Sequence, residues 1–496
     1  MNWGESFNNS IFKGYIIDLT NHLKGRRHMK GTDCMKEKIV YPVLFFLVGV
    51  AYLFVLPAFT APDERDHFVT AYYHVNNLMG YQQNLVSETE GGANYAIPMR
   101  DSDFEYCVYN NAVKSYANVG DFKSNGLTNI YTGKVMPYPV ALYLPAILGI
   151  LISRVLDLGT YFMIVFARLL NFLAGWLLSV WAVRMLKKKN LNQPATLIAV
   201  MSMMPITLHL MASYSSDSIV LGCGFALFSY LLMYHLKDKK MSVSDMIVIT
   251  VLISIFSASK PIYMACLFFA LLFPKRCFTN ILEKIVMIAV PIVVWIIYYG
   301  NTFIRTISGG AVSAYAGTHV QGYTMGVVLS HPIAVVKLIL TSMVKQLPYI
   351  VAQKFGLYLG ALDIRIPTIC VLFGMIVFAL VWVDGLNKNE LVLPSLSLIK
   401  VMVMFLLVYG CCYGMELFWW TTLTDTLIGG IQGRYFLPLF PMFVFAIQSL
   451  LAGKLVEKNW INKAAFYIEK GKAFIYPVLA LINIAALASV YKMFSI

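Results

Sequence analysis

The chain has 496 residues, of which 59% are hydrophobic and only 13% are charged, and its mean hydropathy is +0.68. These values exclude a soluble multidomain protein and indicate a polytopic membrane protein. The formal net charge is +14, but the Lys and Arg residues cluster in short segments between apolar runs. This is the positive-inside pattern of membrane proteins rather than a nucleic-acid-binding surface. We therefore expect a multi-pass protein of the cell membrane with no nucleic-acid partner.

The first 38 residues carry seven Lys and Arg residues and are too long and too polar for the n-region of a cleaved signal peptide. They predict a retained, cytoplasmic N-terminus. Within it, apolar residues recur at helical spacing between Ile11 and Leu23, which predicts an interfacial helix on the inner leaflet. Residues 39–496 are then the transmembrane domain.

Eleven apolar runs predict membrane spans, of which the fifth and sixth are short. Two further apolar segments, 137–155 and 331–354, either span the membrane or lie half-embedded in it. If neither crosses, all basic clusters fall on the N-terminal side, as the charge rule requires; if both cross, three clusters lie outside. We therefore predict an all-α bundle of about 11 to 13 transmembrane helices, with eleven preferred. The runs are 39–59, 160–186, 194–212, 218–236, 243–258, 261–274, 281–301, 367–385, 398–418, 434–453 and 473–493.

Two long loops fall on the outer side in this arrangement. The loop 60–136 carries nine Asp or Glu residues against five Lys or Arg residues and is rich in aromatic residues, which predicts a small packed cap rather than a disordered linker. The loop 301–330 is rich in Gly, Ala and Thr, and we expect it to be a mobile element near a site.

Polar and charged residues collect at the outer ends of the predicted spans. Five such clusters lie on this one side although they are far apart in the chain. Ionisable groups at a membrane boundary indicate a functional site by default. The clusters are Asp63, Glu64 and His67 within 62–68; Arg168 with Asn171; the segment 213–217 with Asp217; Lys260 within 259–261; and Gln432, Arg434 and Tyr435.

Each cluster also has a purely structural interpretation. Asp63 is well placed to cap a helix predicted over 64–79, although capping does not explain Glu64 on the apolar face of that helix. Lys260 and Arg434 resemble interfacial anchors when each is taken alone. Taken together with Asp63 outside, they favour a clamp for a lipid-linked phosphate. Asp217 is either a second carboxylate or a helix cap.

The motifs resemble a known group of proteins. The chain is similar to a bacterial family of predicted multi-pass membrane proteins of uncharacterised function, and this family is itself similar to the GT-C glycosyltransferases. The motifs that carry the resemblance are Pro62-Asp63-Glu64, His67-Phe68 and the segment from Gln432 to Pro438. The motif around Asp63 also resembles a motif that protein O-mannosyltransferases contain, with one residue inserted before His67. The resemblance covers most of the chain from Lys38 to Leu450.

The resemblance implies a GT-C-type glycosyltransferase with a polyprenyl-phosphate sugar donor. Asp63 would be the general base on an acceptor hydroxyl, with Glu64 and His67 beside it either taking part or holding it in place. Lys260, Arg434 and Arg168 would bind the donor phosphate, and Asp217, Gln432 and Tyr435 would line the site. No cofactor is implied, and no second Asp-x-Asp motif stands near Asp217, so we expect a metal-independent enzyme, with a divalent metal still open.

One base and no covalent carboxylate imply inversion of the anomeric centre. The acceptor would be an extracytoplasmic cell-wall polymer, a glycolipid or other lipid-linked glycan, or a protein. Two alternatives stay open. One is a transporter or flippase of lipid-linked glycans, which would carry its ionisable residues near the bilayer midplane. The other is a polysaccharide polymerase with a lipid-diphosphate donor, for which paired arginines in the long outer loop are typical; here only Arg305 stands before residue 331.

Reporter fusions placed after Lys189 and after Lys240 test the predicted orientation. Both positions follow basic clusters, so we expect both reporters to be cytoplasmic. A fusion at residue 100, in the predicted outer loop, serves as the opposite control. An extracytoplasmic signal at either lysine would break the convergence of the five clusters on one side.

Overall fold

The computed structural model describes residues 39–89, 92–109, 127, 129–236, 239–309, 321–386, 393–455 and 471–494. The chain divides into two units, Met1–Phe46 and Leu47–Ile496. The described part of the first unit is the beginning of helix α1, and the second unit holds every contact discussed below. Several predictions fall outside the described residues: the N-terminal interfacial helix, the middle of the loop 301–330, and the basic segment 456–463.

The described chain is predominantly helical, which confirms the predicted all-α membrane class. Among the described residues, seven helices are long and apolar enough to cross a membrane, and one bent pair adds an eighth candidate. The helices are α1 Ile39–Val55, α2 Glu64–Leu78, α3 Asp101–Tyr109, α4 Leu144–Val155, α5 Thr160–Lys187, α6 Asn192–Ser202, α7 Pro205–Met211, α8 Asp217–Leu236, α9 Val243–Ser257, α10 Ile281–Gly309, α11 Met325–Ser330, α12 Pro332–Lys354, α13 Thr368–Leu386, α14 Ser395–Trp420, α15 Phe440–Leu455 and α16 Ile475–Phe494.

Three of the predicted spans differ in detail from the structure. The run 194–212 is a bent pair, α6 and α7, with 68° between their axes, because Pro205 cannot continue a helix and opens a new one instead. The run 261–274 is a 3₁₀ helix, Pro261–Leu272. The last turn before α15 is also 3₁₀, Gly433–Phe436, so this span begins later than predicted.

The two ambiguous segments differ from each other. Helix α4 has 12 residues and is too short to cross a bilayer core. Helix α12 has 23 residues and is long and apolar enough to cross by length and composition alone. The contacts of the site described below bear on which arrangement applies.

The loop 60–136 contains a folded element, as predicted, but part of it is a β-sheet that the sequence pattern did not predict. Strands β1 (Asn84–Thr89), β2 (Gly92–Met99) and β3 (Asn129–Val135) form an antiparallel sheet in this order. Helix α2 lies before the sheet in the chain and has the predicted bounds to within one residue. A second pair of short strands, β4 (Tyr358–Leu359) and β5 (Ile364–Arg365), forms a hairpin between α12 and α13.

Close packing through small residues holds the first helices of the bundle together. A Cβ atom at Gly149 of α4 would collide with the backbone of Ala167 on α5, and one at Gly175 of α5 would collide with Ser218 on α8. Such small residues allow helix backbones in a membrane to approach closely. Asn171 of α5 adds polar contacts, donating to the carbonyl oxygens of Ser213 and Ser215 at 2.7 and 3.0 Å. These hydrogen bonds fix the position of the segment before α8 relative to α5.

Candidate active site

Four charged side chains from distant parts of the chain meet at the ends of helices. Asp217 Oδ1 accepts a hydrogen bond from Lys260 Nζ at 2.5 Å, and its Oδ2 lies 3.3 Å from Arg434 Nη1. Arg434 Nη2 donates to Asp63 Oδ2 at 2.9 Å. We call these four residues the charge cluster. The structure thus brings together four of the residues that the sequence pattern selected.

Asp63 is the most accessible member of the charge cluster. Its side chain is 51% exposed, whereas the side chains of Arg434 and Asp217 are 3% and 7% exposed. Asp63 occupies the position before helix α2, but its carboxylate caps no backbone N–H of that helix and points to Arg434 instead. The structural interpretation of Asp63 as a helix cap is therefore wrong.

The backbone of Asp63 is left-handed, with φ 59° and ψ 11°. This conformation costs an L-residue roughly 1–2 kcal/mol, and Asp tolerates it better than most residues. Burial alone would raise the pKa of the Asp63 carboxyl group, but the charge and hydrogen bond of Arg434, together with the electrostatic effects of His67 and Lys260, outweigh it and lower the pKa below its ordinary value. Asp63 is therefore ionised at neutral pH.

Lys260 and Arg434 are buried, which does not fit side chains that reach toward lipid headgroups as anchors. Both cations lie against the ring of Tyr435, with Lys260 Nζ 5.0 Å and Arg434 Cζ 5.3 Å from its centroid. Cation–π contact of this kind stabilises a desolvated cation. Tyr435, predicted to line the site, therefore supports the two cations from one side.

Asp217 is a second carboxylate of the cluster. It is the first residue of α8, but both of its oxygens are engaged by Lys260 and Arg434. A buried ion pair needs such close geometry to offset the cost of desolvation. One carboxylate thus holds two cations side by side, at a spacing set by its own two oxygens.

Glu64 and Arg168 form a separate, fully buried pair. Glu64 accepts hydrogen bonds from the backbone N–H groups of Ala61 and Tyr214, each at 3.0 Å, and lies 3.4 Å from Arg168 Nε. Arg168 donates to the carbonyl oxygens of Ala212 and Leu56 at 2.8 and 3.0 Å. The pair joins the ends of α1, α2 and α7.

These contacts bear on two predicted assignments. Glu64 was predicted among the catalytic residues and Arg168 among the phosphate-binding residues, yet the carboxylate of Glu64 and two of the three guanidinium nitrogens of Arg168 are engaged by backbone groups. The geometry favours a positioning role for both residues, and their roles toward a substrate stay predictions.

His67 lies on the inner face of α2 and is buried. Its Nδ1 atom is 2.9 Å from the hydroxyl group of Tyr143. Burial lowers the pKa of His67 to about 4, so the ring is neutral at pH 7. The contact with Tyr143 favours His67 as a residue that positions α2, and its predicted catalytic role stays a prediction.

Two polar residues near the cluster have buried atoms with no hydrogen-bond partner among the described residues. Gln432, predicted to line the site, has an unpartnered Oε1 atom. Glu416 of α14 was not predicted, and its Oε2 atom is likewise unpartnered. The signal that would have found it is a lone carboxylate inside the apolar run 398–418, which is rare unless it has a function.

The contacts of the charge cluster also bear on the number of spans. Lys260 and Arg434 stand at helix ends and meet at one carboxylate, so an even number of crossings must separate them along the chain. The 3₁₀ helix Pro261–Leu272, α10, α13 and α14 supply four crossings, and so do α10, α12, α13 and α14 if the 12-residue 3₁₀ helix does not cross. Between Asp63 and Asp217, α5 and the bent pair α6 and α7 supply two crossings, and α4 would make the number odd. This favours a segment 137–155 that does not cross; whether α12 crosses, and the count of eleven spans, stay predictions.

No group of three His, Cys, Asp or Glu side chains that could hold a metal ion is found among the described residues. The charge cluster instead contains two cationic side chains where a metal ion would otherwise balance the carboxylates. The metal independence of the site stays a prediction.

Replacing Arg168 by Met tests its positioning role. The change leaves Glu64 as an uncompensated buried charge, so we expect a loss of roughly 3–5 kcal/mol in the free energy of unfolding. Arg184→Met, at an exposed position of the same helix, is the matched control and should change stability by less than about 0.5 kcal/mol. Unfolding of the purified protein in detergent measures both. Equal stability of the two variants would contradict the role.

The sequence matches the family described as "Predicted membrane protein (DUF2142)" over residues 46–443. The comparison with curated proteins found no match. Among solved structures, the chain is similar to the oligosaccharyltransferase of Archaeoglobus fulgidus, with 13% identity and a TM-score of 0.31 over 86% of this chain and 53% of that chain. The chain spans about half the length of that protein, and a similarity this low carries no argument about activity. Because the family match covers most of the chain, the protein belongs to the DUF2142 family of predicted membrane proteins, as the motifs predicted.

Proposed function

We propose that this protein is an inverting membrane glycosyltransferase that moves a sugar from a polyprenyl-phosphate donor to an extracytoplasmic acceptor. The observation that carries the proposal is the charge cluster: a half-exposed carboxylate, Asp63, beside two buried cations, Lys260 and Arg434. Such an arrangement offers a base and an anion-binding site within a few ångströms of each other. A glycosyl phosphate needs both at its reacting carbon.

The phosphate of the donor would bind to Lys260 and Arg434. A guanidinium group suits two phosphate oxygens at once and an ammonium group adds a point charge, and both are stronger where water is excluded. In the structure the two cations share the carboxylate of Asp217, with one oxygen contacting each cation. Two oxygens of a phosphate could contact the same two cations in the same way. The donor phosphate would therefore compete with, or join, Asp217.

The reaction would proceed in one displacement. The oxygen of an acceptor hydroxyl group attacks the anomeric carbon while Asp63 removes its proton. The bond from that carbon to the phosphate oxygen breaks, and the polyprenyl phosphate leaves with the electron pair. Lys260 and Arg434 stabilise the negative charge that develops on the departing phosphate. Attack from the face opposite the phosphate inverts the anomeric centre.

Donor binding would also activate the base. Arg434 now holds the pKa of Asp63 below its ordinary value, which makes the carboxylate a weak base. When the donor phosphate takes the charge of Arg434, this effect weakens and the pKa of Asp63 rises toward its ordinary value. The base is then strongest in the complex where it is needed, and activity falls as the pH is lowered through the pKa of Asp63 in that complex.

The other residues have supporting roles in this proposal. Glu64 and Arg168 hold the segment that carries Asp63 against the loop before α8, and His67 fixes α2 through Tyr143. The acceptor would approach from the exposed side of Asp63, which stands near the beginning of the loop 60–136. A glycan of the cell envelope, a glycolipid or a protein each offers the hydroxyl group that the mechanism requires.

Replacing Asp63 by Asn tests the proposed base. We expect sugar transfer from polyprenyl-phosphate sugars in membranes to fall by about 10²–10⁴, the range typical for loss of a general base, with binding of polyprenyl phosphate retained. Lys260→Ala and Arg434→Ala should lose that binding. Asp66→Asn is the matched control, because this carboxylate stands one turn along the same helix and outside the charge cluster. Full activity of Asp63→Asn would refute the assignment.

A further inference from the structure

Glu416 occupies an unusual position for a carboxylate. It lies near the end of α14, is only 2% exposed, and its Oε2 atom has no hydrogen-bond partner among the described residues. Gly430 makes room for it: this residue has φ 75°, and a Cβ atom there would collide with Glu416 Oε2 and with the ring of Trp420. Glycine, which adopts a positive φ readily and has no Cβ, thus allows the loop to pass close to this buried carboxyl group.

Two further buried polar atoms, in the segment that follows Gly430, are also unpartnered among the described residues. One is Oε1 of Gln432, and the other is Nε of Arg434. The charges of Arg434, Lys260 and Asp63 act on the carboxyl group of Glu416, which places it in the field of the charge cluster. Buried polar groups are nearly always hydrogen-bonded, so three such atoms around one site indicate a missing polar ligand.

The three atoms define the chemistry of that ligand. Glu416 Oε2 and Gln432 Oε1 accept hydrogen bonds, and Arg434 Nε donates one. Hydroxyl groups supply the two donors and a sugar or phosphate ester oxygen supplies the acceptor. A carboxylate on the ligand would have to give up its hydration to lie beside the buried carboxyl group of Glu416, which is unfavourable.

We propose that Glu416, Gln432 and the Nε atom of Arg434 form a binding subsite for a neutral, polyhydroxylated sugar ring, the group that is transferred. This proposal rests on the proposed function, because it places the sugar next to the phosphate site. Arg434 joins the two: its Nη atoms contact Asp63 and Asp217, and its Nε atom is left for the sugar. One guanidinium group would thus bind the phosphate and orient the ring attached to it.

Equilibrium binding to the purified full-length protein in lipid nanodiscs tests the subsite. The probes are polyprenyl phosphate alone and the same lipid carrying glucose, galactose, mannose or glucuronic acid. We expect at least one neutral hexose to bind about tenfold or more tighter than the bare lipid phosphate, which corresponds to about 1.4 kcal/mol. The glucuronic acid derivative should gain nothing.

Variants at the subsite separate the sugar from the phosphate. Glu416→Ala and Gln432→Ala should each lose most of the gain from the neutral sugar and bind the bare lipid phosphate within about twofold of the wild type, a difference of less than 0.5 kcal/mol. Glu416→Gln keeps the shape and an acceptor oxygen, so it should retain part of the gain and serves if Glu416→Ala does not fold. Asp384→Asn is the matched control, because this buried carboxylate in α13 pairs with Lys472, 3.3 Å away.

The outcomes distinguish the two proposals. If the bare lipid phosphate does not bind, or binds to Lys260→Ala and Arg434→Ala as tightly as to the wild type, the phosphate site of the proposed function fails. The subsite then fails with it. If the bare lipid binds as proposed but no neutral sugar adds affinity, or the gain survives in both Glu416 variants, the sugar subsite alone is overturned.

Discussion

The site depends on the guanidinium group of Arg434. This side chain comes from a 3₁₀ turn before α15, contacts Asp63 before α2, and contacts Asp217 at the start of α8. A buried guanidinium group is stable only when carboxylates or carbonyl oxygens satisfy it, and Asp217 does so while also holding Lys260. Removing Arg434 would leave Asp63 without its partner, and removing Asp217 would leave Lys260 without one. The three segments are therefore fixed relative to one another by electrostatics at the site itself.

A second pair of charges keeps the site in position without taking part in it. Glu64 and Arg168 are satisfied by backbone groups at the ends of α1, α2 and α7. Because both carboxylate oxygens of Glu64 and two guanidinium nitrogens of Arg168 are engaged by the surrounding backbone, the pair favours a stable joint over a binding site. The charge cluster differs in this respect: Asp63 is half exposed, and Arg434 and Glu416 keep buried atoms without partners among the described residues. Unsatisfied atoms next to a desolvated ion pair are where a polar ligand gains most affinity.

The sequence predicted the charge cluster but not the roles of all its neighbours. The charge rule and the apolar runs placed Asp63, Asp217, Lys260 and Arg434 on one side, because the order of the spans determines on which side of the membrane each helix end lies. Whether Arg168 or Arg434 is free for a phosphate depends on which backbone carbonyl groups lie within reach, which no spacing pattern encodes. Glu416 was missed because it stands within the apolar run 398–418 and not in one of the polar clusters between runs. The sheet in the loop 60–136 likewise depends on tertiary contacts, whereas the bend before Pro205 follows from a proline that the sequence shows.

The central claim is that Lys260 and Arg434 hold the phosphate of a lipid-linked sugar beside Asp63. A cryo-EM structure of the protein with bound polyprenyl phosphate tests this claim most directly. The account predicts phosphate density between Lys260 Nζ and the guanidinium group of Arg434, within hydrogen-bond distance of both, with at least one contact of Asp217 broken or lengthened. Phosphate density elsewhere, with the contacts of Asp217 to both cations unchanged, would contradict it.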